Sequence, residues 1–263
     1  MPDWSDSQCS PGFQTFVYTA EQACGVKLAG PWSSPMDGKQ IVHTIAACIG
    51  RPFMPFYRDR VYPQLVDMLG DPAPIKRIRE QMIPLADGIV LEIGVGSGAN
   101  FVHYDVASVG KLYALEPNPG MIRLAERKHR QTKLKIEFID LPGERIPLDD
   151  GSVDTVVSTF TLCTIPGILE AIHGLARVLK PQGKLLFFEL GLSPDREVQR
   201  WQTRLEPMTR RLFQGLYLTR HIPALLVQGG FEIEPMEAGY VSQFPKSWTY
   251  CWWGTAIPLS QRG

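Results

Sequence analysis

Three glycines and two acidic residues are the groups in this sequence with the clearest capacity to hold a ligand. The stretch LEIGVGSGANF, residues 91–101, places Gly94, Gly96 and Gly98 directly after an apolar run. Where a buried strand turns into the next element, glycines permit a tight turn and let a ligand approach the backbone. Glu92 lies inside the apolar run, and Glu116 follows 20 residues after Gly96. A carboxylate at that second position can accept hydrogen bonds from both hydroxyls of a ribose, which indicates a nucleotide-like ligand.

The glycine spacing alone fits two ligand classes. Gly94, Gly96 and Ala99 match the dinucleotide pattern G-x-G-x-x-A, whereas Gly94, Gly96 and Gly98 match the E-x-G-x-G-x-G loop of enzymes that use S-adenosylmethionine (SAM). A tight turn that binds no ligand is a third interpretation. Glu92 favours SAM, because a carboxylate there would repel a pyrophosphate and attract a sulfonium and an ammonium. A carboxylate satisfied by backbone amides is the alternative for Glu92.

Alternating strands and helices are predicted to position these residues. Apolar runs predict strands at residues 88–94, 111–117, 134–140, 153–162 and 183–190. Amphipathic patterns predict helices at residues 74–82, 120–130 and 167–179. Strands alternating with helices at this spacing predict a mainly parallel sheet, and two later runs, 231–241 and 249–258, are expected to pair at its edge.

An amphipathic, arginine-rich segment follows the fifth strand. Its apolar face carries Trp201, Leu205, Met208, Leu212 and Leu216, with a kink expected at Pro207. Its charged residues are Arg196, Arg200, Arg204, Arg210, Arg211 and Arg220 against Asp195, Glu197 and Glu206. The pattern predicts a helical cap at about 193–222 that covers an apolar pocket, and peripheral contact of segment 193–220 with an anionic membrane is the alternative. Thr219 is the expected N-cap of the next helix, 219–230.

Composition excludes several classes of protein. The 263 residues are 44% hydrophobic and 21% charged, and 27 basic residues balance 27 acidic ones, so no overall field favours nucleic acid. The five cysteines are scattered without metal-ligand spacing, which predicts reduced thiols, no metal and a cytoplasmic protein. No apolar stretch reaches the roughly 18 residues of a membrane span. Residues 1–50 are predicted to form an N-terminal extension with one or two helices.

Five stretches of the chain resemble class I SAM-dependent methyltransferases. They are LEIGVGSGANF (91–101), LEPNPGM (115–121), PGERIPLDDGSVDTVVSTFTLCTIP (142–166), RVLKPQGKLLFFEL (177–190) and GLYLTR (215–220). Within that class the chain is most similar to the methyltransferase-like thiol S-methyltransferase family. The resemblance covers residues 52–257 and implies a methyltransferase domain at residues 51–263. The implied fold is Rossmann-like α/β, with seven strands, an antiparallel terminal strand, helices on both faces and a helical cap.

The resemblance also implies roles for individual residues. The SAM-binding residues are expected to be Glu92, Gly94, Gly96, Gly98 and Asn100 for the methionine part and ribose, Glu116 for the ribose, Pro117 and Asn118 for the adenine slot, and the backbone of Gly143 and Glu144 beside the adenine. Thr159 and Phe160 are expected to line the methyl-transfer site, with Thr159 also near the cofactor. Tyr57, on a helix before the first strand, is a candidate catalytic residue at the pocket mouth.

The predicted reaction is methyl transfer from SAM to a small acceptor, with S-adenosylhomocysteine (SAH) as product. A thiol or sulfide is the predicted acceptor, because thiols ionise without a strong base and the sequence offers no unmistakable one. Other candidates at the acceptor side are Asp59, Cys163, His221 and Trp248, of which Cys163 is better explained as a small buried residue. A phospholipid amine, a quinone or phenol, and a non-catalytic SAM-binding module are the alternatives. A monomer or homodimer is expected.

The chain departs from the family pattern at three points, one of which is that residues 1–50 match no stretch of the family. The family often has Glu-His after the fifth strand, whereas this chain has Glu189 followed by Leu190. The better-known family members are membrane-anchored, and no N-terminal membrane helix is predicted here. These differences bear on the acceptor and on membrane attachment rather than on the cofactor loop.

Overall fold

A computed structural model describes residues 57–69, 72–241 and 245–259. Contacts divide the chain into two compact units, Met1–Met68 and Leu69–Gly263. In the first unit, a π-helical segment, Tyr57–Val61, leads into α1, Tyr62–Leu69. The predicted extension, residues 1–50, lies outside the described residues. Among the helices that are described, none has the length and apolar character needed to cross a membrane.

The second unit is organised around a seven-stranded sheet. Its strands are β1 Gly88–Ile93, β2 Val109–Leu115, β3 Ile136–Ile139, β4 Val153–Thr159, β5 Leu179–Leu190, β6 Phe231–Tyr240 and β7 Tyr250–Pro258. They lie in the order β3-β2-β1-β4-β5-β7-β6. Strands β1 to β5 pair in parallel, and β7 runs antiparallel to both β5 and β6. This arrangement confirms the predicted mainly parallel sheet with an antiparallel terminal strand.

Among the described residues of this unit, five α-helices accompany the sheet. They are α2 Ala73–Met82, α3 Pro119–His129, α4 Ile168–Val178, α5 Arg196–Leu212 and α6 Ile222–Gln228. Short 3-10 helices cover Ile83–Leu85 and Lys246–Trp248. The glycine motif after a strand also predicts a helix directly after the glycine loop. That prediction is wrong, because residues 97–103 form consecutive turns.

The sheet separates two apolar layers, and the strand sequences explain why. Neighbouring residues on a strand point to opposite faces, so strands that are buried on both faces are almost continuously apolar. Leu91 and Phe187 pack into one cluster with side chains of α4 and α6. Val90 and Phe188 pack into the other cluster with side chains of α2. Each such fully buried side chain contributes about 1.5–3 kcal/mol to folding, which holds the strand ends in fixed positions.

The cap helix α5 is anchored at its N-terminus and at the loop that follows it. Asp195 is the N-cap residue and accepts hydrogen bonds from the backbone N–H groups of Glu197 and Val198. The prediction that Thr219 caps the next helix is wrong. His221 caps α6, with Nδ1 3.2 Å from the backbone nitrogen of Ala224. Thr219 instead donates its N–H and its hydroxyl to the Glu206 carboxylate.

Candidate functional site

The turn after β1 lies at the carboxyl edge of the sheet. Gly94, Gly96 and Gly98 all have positive φ angles, 61°, 55° and 77°, which residues with side chains rarely adopt. A Cβ at Gly94 would collide with the Thr161 side chain, whereas a Cβ at Gly96 would have no neighbour closer than 3.9 Å. The space beside Gly96 is therefore open to a ligand that approaches the backbone.

Glu116 stands beside this turn, directly after β2. Its carboxylate accepts hydrogen bonds from the backbone N–H of Gly96 at 3.0 Å and of Asn118 at 2.9 Å. Burial raises the pKa of Glu116 to about 7, against the opposing effect of these two hydrogen bonds. The neighbouring Asn118 is the N-cap of α3, while Pro117 is exposed. The structure thus places Glu116, the residue predicted to bind the ribose, against the predicted glycine turn.

Glu92 lies on β1 with its side chain buried below the same turn. Its two carboxylate oxygens accept hydrogen bonds from Asn100 Nδ2 at 2.7 Å and from the Tyr104 hydroxyl at 2.8 Å. Burial raises the pKa of Glu92 to about 7, and the two hydrogen bonds and the Arg79 charge oppose that rise. Side-chain donors hold this carboxylate. The alternative interpretation of the sequence, a Glu92 carboxylate satisfied by backbone amides, is therefore wrong.

Asn100 links Glu92 to the end of β4. Besides its bond to Glu92, its Nδ2 donates to the Thr159 hydroxyl oxygen at 3.0 Å. Its Oδ1 accepts from Arg79 Nη1 at 2.5 Å, and the same Nη1 is 3.1 Å from Thr159 Oγ1. Predicted site residues from two stretches of the sequence, Glu92 and Asn100 from one and Thr159 from the other, therefore meet in one buried polar network.

Arg79 is a member of this network that the sequence interpretation missed. It lies on the buried face of α2 with Ile78 and Met82, and it is only 7% exposed. Its guanidinium carbon is 5.6 Å from the centre of the Phe160 ring. A charged residue on the apolar face of a helix is rarely buried without a partner, and this was the signal available in the sequence.

Thr159 and Phe160 end β4 at the predicted methyl-transfer site. Phe160 has a φ of 55°, which a residue with a side chain adopts only when its surroundings enforce it. Its N–H donates to the Phe188 carbonyl at 2.8 Å, and its ring centre is 4.6 Å from that of Phe188. The pair gives the site an apolar wall next to the Arg79 cation.

Glu189 holds the turn that carries Phe160. Its carboxylate accepts from the Ser158 hydroxyl at 2.6 Å and from three consecutive backbone N–H groups, those of Thr161, Leu162 and Cys163, at 3.0–3.2 Å. Burial raises the pKa of Glu189, while the hydrogen bonds lower it. This acid belongs to an apolar strand, as Glu92 does, and sequence reasoning gave it no role.

The residues predicted beside the adenine occupy the loop after β3. Gly143 is buried, and a Cβ there would lie 2.5 Å from Ile165 Cδ1. Glu144 accepts the backbone N–H of Gly167, the N-cap residue of α4, at 3.1 Å. The Glu144 side chain is therefore engaged in holding the start of a helix, and backbone contact of this loop with adenine stays a prediction.

Each candidate residue for acceptor chemistry has its own local contacts. Tyr57 lies in the N-terminal unit, its ring 6.2 Å from that of Tyr62, and burial raises its pKa to about 12. Burial raises the pKa of Cys163 well above its usual range, which disfavours the nucleophilic thiolate. His221 caps α6, and Trp248 packs edge-on against Phe213 at 5.2 Å. Within the part of the chain that the structure describes, no group of three His, Cys, Asp or Glu residues could hold a metal ion.

The donor set of this site fits SAM. Two buried carboxylates flank an open glycine turn, and burial raises the pKa of each to about 7 in the ligand-free protein. A sulfonium and an ammonium would stabilise their ionised forms. Glu116 lies at the position from which a carboxylate can accept ribose hydroxyls. The residues that would hold the cofactor are thus Glu92, Glu116 and the backbone around Gly96.

Comparisons with known proteins support this assignment. Residues 91–187 match the family model described as a methyltransferase domain. The chain is 36% identical over 138 residues to the thiol S-methyltransferase TMT1B of Rattus norvegicus, covering 50% of this chain and 54% of that protein. It is 31% identical over 166 residues to human thiol S-methyltransferase TMT1A, covering 60% of this chain and 65% of that protein. The chain therefore spans between about half and two thirds of the length of these relatives.

A solved structure shares the fold. The SAM-dependent methyltransferase from Aquifex aeolicus superposes with a TM-score of 0.52 at 23% identity, over 74% of this chain and 97% of that one. The matched family model describes a methyltransferase domain, both relatives are named as thiol S-methyltransferases, and the Aquifex aeolicus protein is named as SAM-dependent. They confirm the resemblance inferred from the sequence: residues 91–187 match a methyltransferase domain, the fold is Rossmann-like, and the chain is similar to thiol S-methyltransferases.

Proposed function

We propose that this protein is a SAM-dependent methyltransferase that methylates a small thiol or sulfide on sulfur. The observation that carries the proposal is the buried network at the carboxyl edge of the sheet, where Glu92 and Arg79 meet Thr159 through Asn100. It offers a carboxylate for a cationic cofactor and a guanidinium beside the predicted transfer site. Similarity to two thiol S-methyltransferases supports sulfur as the atom methylated.

The residues of the chain act mainly by binding and orientation. SAM, when bound, supplies a methyl group attached to a sulfonium. The thioether that leaves when this methyl group is transferred needs no further activation. Glu92 and Glu116 neutralise or hydrogen-bond the cofactor, and the open backbone at Gly96 lets it approach the turn. Phe160 and Phe188 form an apolar wall that keeps water away from a soft acceptor. Holding the two reactants in line lowers the barrier, because the entropy of bringing them together has been lost on binding.

Arg79 gives the site a reason to prefer a thiol. A cation close to a thiol lowers its pKa, so a larger fraction is present as the nucleophilic thiolate at neutral pH. Arg79 Nη1 is 3.1 Å from Thr159 Oγ1, and the guanidinium lies near the ring of Phe160. The acceptor proton then passes to solvent, and no side-chain base is required. A neutral amine would gain nothing from this cation.

An acceptor panel tests the proposed reaction. The full chain is incubated with SAM and, separately, 2-mercaptoethanol, sulfide, phosphatidylethanolamine vesicles and a catechol, and SAH formation and product mass are measured. We expect S-methylated products from the thiol and from sulfide. Turnover of the lipid or the catechol with inert thiols would show that sulfur is the wrong acceptor. Binding of SAH without turnover of any acceptor would favour the non-catalytic module.

We also propose that the outer face of α5 makes peripheral contact with an anionic lipid surface. Its buried residues are Val198, Gln202, Thr209 and Leu212, and its exposed arginines on the opposite face are Arg196, Arg200, Arg204, Arg210 and Arg211. Trp201 is 56% exposed beside this row, with the Arg204 guanidinium 5.5 Å from its ring. Arginines next to an exposed tryptophan suit the interface between anionic headgroups and acyl chains.

Vesicle binding distinguishes this contact from a solvated helix face. Co-sedimentation with vesicles that contain phosphatidylserine should fall at least tenfold in the double variant Arg200→Glu/Arg204→Glu, since each basic residue near such a surface contributes about 1 kcal/mol. The same charge change at the C-terminal end of α3, Arg127→Glu/Arg130→Glu, replaces two exposed arginines elsewhere and should have a small effect. Equal losses in both variants, or no binding by the unmodified protein, would argue against a membrane role for α5.

A further inference from the structure

Gln214 adopts a strained backbone conformation in the loop after the cap helix. Its φ is 50°, and Phe160 is the other non-glycine residue with a positive φ within the described part of the chain. Such conformations are unfavourable for residues with a side chain and cluster at functional sites. The Phe160 turn belongs to the candidate site, and Gln214 is a second residue held in such a conformation.

Neighbouring backbone contacts hold Gln214 in this position. The N–H of Gly215 donates to the Arg210 carbonyl at 2.9 Å, and the N–H of Tyr217 donates to the Cys163 carbonyl at 2.8 Å. A Cβ at Gly215 would lie 2.8 Å from the Thr164 carbonyl oxygen. The loop is therefore fixed against the turn after β4.

From this anchored loop, the Gln214 side chain reaches the turn after β2. Its Oε1 is 3.3 Å from Asn118 Nδ2. Asn118 follows Glu116, whose carboxylate accepts the Asn118 N–H, so the contact joins the cap to the predicted nucleoside-binding edge. Gln214 thus spans the space between β4 and β2, beside the glycine turn of β1 that lies between them in the sheet.

The hydrogen bonds of Asn118 fix which way the Gln214 amide points. Asn118 Oδ1 accepts from the backbone N–H groups of Gly120 and Met121 at 2.8 and 3.3 Å. Its Nδ2 donor must therefore be the atom that faces Gln214, and Gln214 must present its oxygen in return. The Gln214 Nε2 then points away from Asn118, and it is buried with no hydrogen-bond partner among the described residues.

We propose that Gln214 is a cofactor-binding residue whose Nε2 donates a hydrogen bond to a neutral acceptor atom, an adenine ring nitrogen or a ribose oxygen, on the nucleoside part of bound SAM. A buried donor without a partner is unfavourable, and a ligand acceptor would satisfy it. The adjacent Asn118 and Glu116 identify the nucleoside as the part within reach. The inference rests on the proposed use of SAM, but it assigns this contact to the cap, which the cofactor motifs do not include.

Calorimetry with two ligands tests this contact. SAH and 5′-deoxy-5′-methylthioadenosine, which lacks the amino-acid part, are titrated into the full chain and into Gln214→Gly. We expect about three- to tenfold weaker binding of both ligands, the effect of one neutral hydrogen bond. Glycine also relaxes the positive φ, so the free variant should unfold at the same or a higher temperature, and lost affinity cannot reflect a failure to fold.

Two further variants sharpen the result. Gln214→Glu can still accept from Asn118 but places a second acceptor oxygen toward the ligand, so it should bind both ligands more weakly than Gln214→Gly does. Gln131→Ala, at an exposed glutamine after α3, should change neither affinity.

Three results would overturn the assignment. They are unchanged affinity of Gln214→Gly for both ligands, a loss seen with SAH but not with the nucleoside fragment, and a raised KM for the methyl acceptor with unchanged SAH affinity. Absence of SAH binding by the unmodified protein is a separate result, since it would refute the proposed function itself.

Discussion

Glu92→Gln should weaken SAM binding by roughly 10- to 100-fold at pH 8, the scale of a lost charge-assisted interaction in a buried site. The free site holds Glu92 with a pKa of about 7, and a bound cation favours its ionised form. Binding by the unmodified protein should therefore weaken as the pH falls below 7, because Glu92 must first lose its proton. In Glu92→Gln this part of the pH dependence should disappear, while the part due to Glu116 remains. Calorimetry between pH 6 and pH 8.5 measures both effects.

The same substitution should stabilise the protein in the absence of ligand. The folded pKa of Glu92, about 7, lies above the ordinary value for a glutamate, so the folded state binds more protons between about pH 4.5 and pH 7. The free energy of unfolding accordingly falls as the pH rises through that window. Above the window, the full free-energy cost of ionising the buried Glu92 carboxylate is present. Removing the ionisable group should raise the unfolding free energy by about 1–3 kcal/mol at pH 8 and by less at pH 5. In the Glu92→Gln variant, the new amide oxygen can accept the hydrogen bond from Asn100 Nδ2, and the new amide nitrogen can donate to the Tyr104 hydroxyl oxygen. Both hydrogen-bonded contacts can therefore be kept.

Glu126→Gln is a matched control, since Glu126 is an exposed carboxylate on α3. It should alter neither SAM affinity nor the pH dependence of unfolding. A Glu92→Gln protein that binds SAM as tightly as the unmodified chain at pH 8 would show that this acid does not face the cofactor. A variant that loses both stability and affinity would show that Glu92 is a structural group whose charge the fold needs.

The parallel core could be predicted from the sequence because its strands are buried on both faces and read as apolar runs. Strand boundaries that depend on contacts with residues far along the chain could not be predicted from the sequence. The predicted strand 153–162 ends at Thr159, because Glu189 takes the next backbone amides and Phe160 turns away from the sheet. Strand β5 begins at Leu179 rather than at residue 183, because Leu179 pairs with Val153 at the start of β4.

Some residues of the candidate site could likewise be predicted from the sequence, and others could not. The glycine turn, Glu92 and Glu116 were found because local spacing and a charge within an apolar run are visible in one stretch of sequence. Arg79 and Gln214 were missed because their significance depends on partners far along the chain, Thr159 and Asn118. Sequence periodicity places Arg79 on a buried helix face, but only the fold shows which carboxylate and which strand end it meets.

Arg79→Gln should shift the pH dependence of thiol methylation to higher pH by about one unit. A guanidinium near the acceptor stabilises the thiolate, and an effect of about 1.4 kcal/mol corresponds to one pKa unit and a tenfold smaller thiolate fraction at neutral pH. With 2-mercaptoethanol as acceptor, kcat/KM at pH 7 should therefore fall about tenfold, and the rate at high pH should approach that of the unmodified protein. Glutamine retains a donor for Asn100 or Thr159, which limits damage to the network.

Charge can be separated from shape with two further variants. Arg79→Lys restores a cation, so its pH profile should return toward that of the unmodified chain even if its maximal rate is lower, because lysine lacks the planar fork of arginine. Arg77→Gln removes an exposed arginine two residues away on α2 and should leave the profile unchanged. If Arg79→Gln instead weakens SAH binding and leaves the midpoint of the pH profile where it was, Arg79 belongs to the cofactor site. The preference for sulfur would then rest on similarity to thiol S-methyltransferases alone.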